Sequence, residues 1–118
     1  MKKNKIVYIA LEADIIHPGN LNIIEKASSL GEIIVGLFTD EAIGRHKRVP
    51  LLNFEQREKI VSNIKNVKKV IAQDTLDYEK NLRLIKPNYV VHGDDWQKGP
   101  QKKIRNNVIK ILADWNGE

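Results

Sequence analysis

The sequence predicts an α/β fold with a parallel sheet between two layers of helices. Apolar runs of strand length alternate along the whole chain with segments whose apolar residues recur at helical spacing. Alternation at this spacing implies right-handed βαβ units, which place helices on both faces of a sheet. The residues with most chemical character all follow the apolar runs, at the strand ends where open parallel sheets bind ligands.

The elements follow in order. Residues 5–11 read as a buried strand, and an amphipathic helix over 21–30 follows the turn Ala13-Asp14-Ile15-Ile16-His17-Pro18-Gly19-Asn20. The run Ile33-Ile34-Val35-Gly36-Leu37-Phe38 is a second strand, ended by Thr39-Asp40. A loop holding Arg45-His46-Lys47-Arg48 and Pro50 leads to a helix over 53–64, with Asn53 as its N-cap. Residues 67–72 form a shorter third strand. Tyr78, Leu82 and Ile85 mark a helix that Pro87 stops. Tyr89-Val90-Val91-His92 is a fourth strand, and Gly93-Asp94-Asp95-Trp96 is its exit turn. Ile104, Val108, Ile111, Leu112 and Trp115 lie on one face of a last helix, which Gly117 is placed to terminate. Four parallel strands are thus expected near 5–11, 32–39, 68–73 and 89–93. The first and fourth should be the central pair, since the turns after them must meet at one pocket.

Composition narrows the class. The 118 residues suffice for a single domain, and 42% apolar with 30% charged residues is ordinary for a globular protein. There is no cysteine, so disulfides and thiolate metal sites are excluded. The basic start is followed by an apolar run of strand length only, and no segment approaches the roughly 18 apolar residues of a membrane helix. The expectation is a cytoplasmic protein with no membrane partner. The net charge of +5 is concentrated in Arg45-His46-Lys47-Arg48 and in Lys102-Lys103 with Arg105. Aromatic residues do not alternate with these clusters, which argues against nucleic acid and for a small polyanion.

The turn after the first strand carries the strongest signal. A strand running sharply into a helix leaves backbone N–H groups and the positive end of the helix dipole facing out, which favours an anion. His17 stands at that turn, Pro18 suits the first helical turn, and Gly19 lets a ligand approach the backbone. A phosphate site is one reading; a tight connection capped by His17 is the other.

The stretches Ala13-Asp14-Ile15-Ile16-His17-Pro18-Gly19, Leu51-Leu52-Asn53-Phe54-Glu55-Gln56-Arg57 and Tyr89-Val90-Val91-His92-Gly93-Asp94-Asp95-Trp96 resemble the cytidylyltransferases of the nucleotidyltransferase superfamily. The resemblance is to the glycerol-3-phosphate cytidylyltransferase group, and most closely to the domain found with phosphoenolpyruvate mutase in phosphonate biosynthesis. It implies a Rossmann-like three-layer αβα fold over residues 1–118 as one nucleotidyltransferase domain. It also implies transfer of CMP from CTP to a small phosphonate or phosphate acceptor, with release of pyrophosphate. No covalent enzyme intermediate is needed, so positioning and charge neutralisation supply the catalysis. By position, His17, Asn20 and Lys47 correspond to catalytic residues. Ala10, Asp14, His17, Gly19 and Asn20 fall among the nucleotide contacts, as do Arg48, Arg57, Gly93, Asp94 and Trp96. Mg²⁺ would arrive with the CTP phosphates, no metal-ligand spacing being present. The resemblance further implies a homodimer and a phosphoenolpyruvate mutase domain or protein as partner.

The chain departs from the family pattern in three places. The second motif histidine is Asn20, whose amide can donate a hydrogen bond but carries no charge. The family's Arg-Tyr-Val-Asp-Glu-Val segment, implied to serve the dimer interface, reads Lys65-Asn66-Val67-Lys68-Lys69-Val70. The family's C-terminal strand, Ser/Thr motif and helix would start where this chain stops, at Asn116-Gly117-Glu118, so the domain is expected to be truncated there. An alternative from another class is a non-catalytic nucleotide-binding or assembly domain derived from that family.

Overall fold

Four parallel strands form one sheet in the order β3-β2-β1-β4: β1 (Ile6–Leu11), β2 (Glu32–Phe38), β3 (Val67–Gln73) and β4 (Tyr89–Val90). The computed structural model describes residues 5–45, 50–92 and 101–118. Helices α1 (Pro18–Ala27), α2 (Asp40–Gly44), α3 (Phe54–Ser62), α4 (Glu79–Ile85) and α5 (Gln101–Ala113) connect and cover the strands. No helix among the described residues is long and apolar enough to cross a membrane.

The alternation of side chains along β1 and β2 separates two cores. Val7, Ile9 and Leu11 join Ile33, Val35 and Leu37 on one face, against Ile24 and Ala27 of α1 and Val61 of α3. Tyr8, Ala10 and Phe38 point to the other face, against Ala42, Ile43, Leu82, Val108, Ile111 and Leu112 from α2, α4 and α5. The expected three-layer αβα arrangement is therefore present.

Several expectations are corrected. β1 and β4 are neighbours, but the central pair is β2 and β1; β4 is a margin strand of two residues. Its pairing runs on one step, the Val91 N–H donating to the Tyr8 carbonyl at 3.1 Å. On its other side the Glu118 N–H donates to the Asn88 carbonyl at 2.8 Å and the Val90 N–H to the Glu118 carbonyl at 2.6 Å, a parallel-ladder pattern. The segment after Thr39 is not all loop: Thr39 accepts from the Ala42 N–H at 3.2 Å and caps α2, with Asp40 and Glu41 in its first turn. Past α5 the left-handed residue is Asn116 (φ 60°), not Gly117, whose N–H donates to the Leu112 carbonyl at 2.9 Å. Asn53 caps α3 as the sequence suggests, in a reciprocal box with Gln56.

β3 forms the opposite margin and carries a bulge. Ile33 pairs with Val67 and Ile34 with Lys69, so Lys68 is an extra residue, and Lys68 and Lys69 are both exposed.

Two buried polar clusters lock the layers. Tyr8 Oη donates to Gln73 Oε1 at 2.5 Å and accepts from Asn81 Nδ2 at 3.0 Å; Asn81 Nδ2 also donates to the Ala72 carbonyl at 2.9 Å. Gly36 makes this possible, since a Cβ there would lie 1.7 Å from Tyr8 Oη. Burial pushes the Tyr8 hydroxyl from 10.0 up to about 12, partly offset by the Asn81 hydrogen bond.

The second cluster is Arg57, which α3 buries completely. Its Nε donates to the Leu52 carbonyl at 3.0 Å, and its Nη1 to the carbonyls of Glu12 at 2.8 Å and Phe38 at 2.7 Å. Its Nη2 pairs with Asp40 at 2.6 Å. The guanidinium thereby ties together the ends of β1 and β2, the head of α2 and the entry to α3. Arg57→Met should lower stability by roughly 3–5 kcal/mol in urea unfolding, because it strands buried acceptors. Asp40→Asn should cost clearly less, since Asp40 is 41% exposed. Equal losses for the two variants would contradict the clamp.

Tyr8 generates a second prediction. Between pH 10 and about 12 the unfolded chain releases this proton and the folded chain keeps it, so stability falls as pH rises. The slope is up to about 1.4 kcal/mol per pH unit. Tyr8→Phe should be less stable than wild type at pH 8, and the gap should narrow at pH 11. A gap independent of pH would contradict the buried hydroxyl.

Candidate active site

The strand order creates a switch point. From β1 the chain passes through α1 on one face to reach β2; from β3 it returns through α4 on the other face to reach β4. The crevice between the C-terminal ends of β1 and β4 is where such sheets bind ligands.

The turn out of β1 is held tightly. Ala13 is buried and left-handed (φ 57°), a conformation costing a residue with a Cβ of order 1–2 kcal/mol. Strain of this kind concentrates at functional sites. Asp14 Oδ1 accepts from the Leu52 N–H at 3.1 Å, binding the turn to the loop before α3.

His17 is the N-cap of α1, with extended backbone (φ −134°, ψ 168°) and an exposed side chain. Its Nδ1 accepts from the Gly19 N–H at 3.1 Å. In a neutral ring this places the proton on Nε2, which becomes the outward donor. Asn20 completes a capping box: its Oδ1 accepts from the His17 N–H at 3.1 Å, so its Nδ2 is the remaining donor. The N–H groups of Asn20 and Leu21 both donate to the His17 carbonyl, at 3.0 and 3.4 Å. The expectation of outward backbone N–H groups is thus corrected. The first turn partners them locally. The structure shows His17 as the cap, through Nδ1, and this leaves Nε2 outside the capping bond.

Gly19 acts through space. A Cβ at this position would lie 2.8 Å from His17 Cε1 and 3.0 Å from Nδ1, so glycine lets the imidazole fold over the helix head. No acidic residue occupies the first turn of α1, which leaves the positive end of its dipole uncompensated by a carboxylate there.

The structure thus gathers Ala10, Asp14, His17, Gly19 and Asn20 at the end of β1. Arg57 lies in the interior beneath them, with four N–H···O contacts to protein. Lys47, Arg48, Gly93, Asp94 and Trp96, with His46 and Asp95, lie outside the described residues. Among the described residues no three His, Asp or Glu side chains form a group able to hold a metal ion. The second basic cluster is on α5. There Lys103, Ile104, Asn106, Asn107 and Lys110 line a groove of about 460 Å³ with Asp77, which sequence reasoning did not foresee. It also missed the depth of Arg57, although Arg57 and the buried Val61 share one helical face at i, i+4.

Comparison with known proteins agrees with this geometry. Residues 12–112 match the family described as cytidylyltransferase-like. The chain is 36% identical over 97 residues to the FAD synthase of Archaeoglobus profundus, covering 82% of this chain but only 62% of that protein's length. It is 34% identical over 106 residues to the FAD synthase of Archaeoglobus fulgidus, covering 83% of this chain and 77% of the other. Among solved structures, a lipopolysaccharide core biosynthesis protein from Thermoplasma volcanium superimposes with a TM-score of 0.79 and 23% identity. That match spans 92% of this chain and 89% of the other, and it speaks for the fold alone. With its switch-point crevice and a histidine heading α1, the chain belongs to the cytidylyltransferase-like family of nucleotidyltransferases.

Proposed function

We propose that this chain transfers CMP from CTP to a small phosphonate or phosphate. An acceptor oxygen attacks the α-phosphorus in line; the new P–O bond forms as the bond to the bridging oxygen breaks, and pyrophosphate leaves. The observation that carries the reading is the pair of side-chain donors, His17 Nε2 and Asn20 Nδ2, at the positive end of α1 beside the switch-point crevice. Donors fixed in advance stabilise charge that grows on the phosphoryl oxygens in the transition state. Lys47 and Arg48 would neutralise the triphosphate, with Lys47 on the reacting group. Gly93, Asp94 and Trp96 would surround the nucleoside, and Ala10 and Asp14 would bound it from the β1 side. For Arg57 we propose a positioning role, holding the turn before His17 level with the loop before α3. Mg²⁺ enters with the triphosphate. A homodimer, a phosphoenolpyruvate mutase partner and a cytoplasmic location belong to the same proposal. Cytidine is favoured by the sequence Gly93-Asp94-Asp95-Trp96, through its resemblance to cytidylyltransferases.

A second reading follows from the names of the relatives. FAD joins an adenylate to a flavin phosphate, so the same site would adenylylate a flavin phosphate from ATP. Titration with Mg²⁺ present separates the two. CTP should raise the melting temperature more than ATP, and pyrophosphate should be released with methylphosphonate rather than with a flavin phosphate. The opposite preferences would establish the second reading. Nucleotide binding without pyrophosphate release from any acceptor would favour a non-catalytic domain.

The geometry of the α1 head makes a further prediction. Gly19→Ala should displace the imidazole and reduce turnover by about 10²-fold, with the circular dichroism spectrum unchanged. Asn20→His, which adds a donor able to carry charge, should raise kcat more than it changes KM. His17→Ala should abolish turnover in both backgrounds. Full activity in Gly19→Ala would show that the ring position is irrelevant.

A further inference from the structure

The chain has three histidines, and the two within the described residues both stand at the switch-point crevice. His17 heads α1 after β1. His92 follows β4. The register pairs Val7 with Tyr89 and Tyr8 with Val90, and the Val91 N–H continues the ladder onto Tyr8. Carrying that register on by two residues sets His92 beside Ala10, the next-to-last residue of β1. Val90 packs with the cluster that contains Tyr8 and Ala10, and Val91 with the opposite one. Alternation therefore returns His92 to the side of Ala10. Ala10 contributes only a methyl group there, and His92 is half-buried.

We propose that His92 is a catalytic residue that donates a hydrogen bond to the transferred phosphoryl group from the β4 wall, opposite His17. The chemistry calls for a donor on that side. Asn20 has committed its oxygen to the His17 N–H, and its remaining Nδ2 donor is neutral. An imidazole can carry a proton and a charge to the growing phosphoryl negative charge. Two imidazoles on opposite walls would hold the α-phosphorus between them, leaving the line of attack along the crevice. This assignment rests on the nucleotidyl-transfer reading.

The test begins with the unmodified chain. In ¹³C-edited NMR the histidine Cε1–H signals, assigned with His17→Gln and His92→Gln, are followed while CMP, CTP with Mg²⁺, or inorganic pyrophosphate is added. The His17 and His92 signals should both move with CMP and CTP, and His92 should stay still with pyrophosphate, which has no α-phosphoryl group. In turnover assays His92→Ala should lower kcat about 10²-fold and change KM for CTP by less than about threefold, with His92→Gln intermediate. A His17 signal that moves while His92 does not would overturn the assignment and leave the transfer reading standing. A His92→Gln protein with a lowered melting temperature but wild-type kcat would assign His92 a structural role and overturn it too. If no nucleotide moves either signal, the transfer reading falls and this assignment with it.

Discussion

The buried guanidinium of Arg57 is the constraint on which the rest of this molecule turns. Apolar burial holds the layers together but is indifferent to small rotations and slips. A charge withdrawn from water is tolerated only where its partners are fixed. Here the partners are the carbonyls of Glu12, Phe38 and Leu52 and the carboxylate of Asp40. Three belong to segments that leave the sheet or enter a helix at its C-terminal edge. Satisfying one side chain therefore sets where β1 and β2 stop and how the chain leaves them. The Asp14 contact with Leu52 repeats the link from the other direction.

With the turn after β1 held from below, the head of α1 can be shaped for chemistry. Its first-turn N–H groups find partners within the turn itself, so the helix end needs no external anion to be stable. The side-chain nitrogens left for a ligand under the proposed reading are those of His17 and Asn20 that do not cap the helix. Their orientation is set by the same hydrogen bonds that cap the helix, so stability and preorganisation come from one set of contacts. This differs from glycine-rich phosphate loops, where the backbone itself makes the contact.

Much of this was legible in the sequence. The runs ending at Leu11 and Phe38 read as strands because burial on both faces leaves few polar residues in them, and the shorter run ending at Ala72 did so although Lys68 and Lys69 are exposed. Asn53 read as a cap because it stands, with a preferred capping side chain, at the head of the helical stretch. The turn at the end of β1 stood out through His17 and Gly19, and the structure places both at the head of α1. Other features depend on partners distant in sequence. The resemblance sets Arg57 among the nucleotide contacts, and its complete burial shows only when Glu12, Phe38 and Leu52 are brought around it. The Tyr8, Gln73 and Asn81 cluster joins three elements that no spacing rule relates. That β4 lies beside β1 was legible from the turns that follow them, but that it stands at the margin and not in the central pair was not. The two residues of β4 show how little pairing settles that choice.

The lysine-bearing bulge of β3 has a consequence for how copies of this chain can meet. A sheet margin is a row of backbone donors and acceptors ready to pair with another strand. Here the extra residue breaks the regular spacing of that row, and Lys68 and Lys69 stand exposed along it. A second copy arriving side by side would find donors out of step and ammonium groups facing ammonium groups. The sheet is thereby kept from growing into a continuous ribbon, and on this flank a crowded solution of the protein is guarded against ordered aggregation.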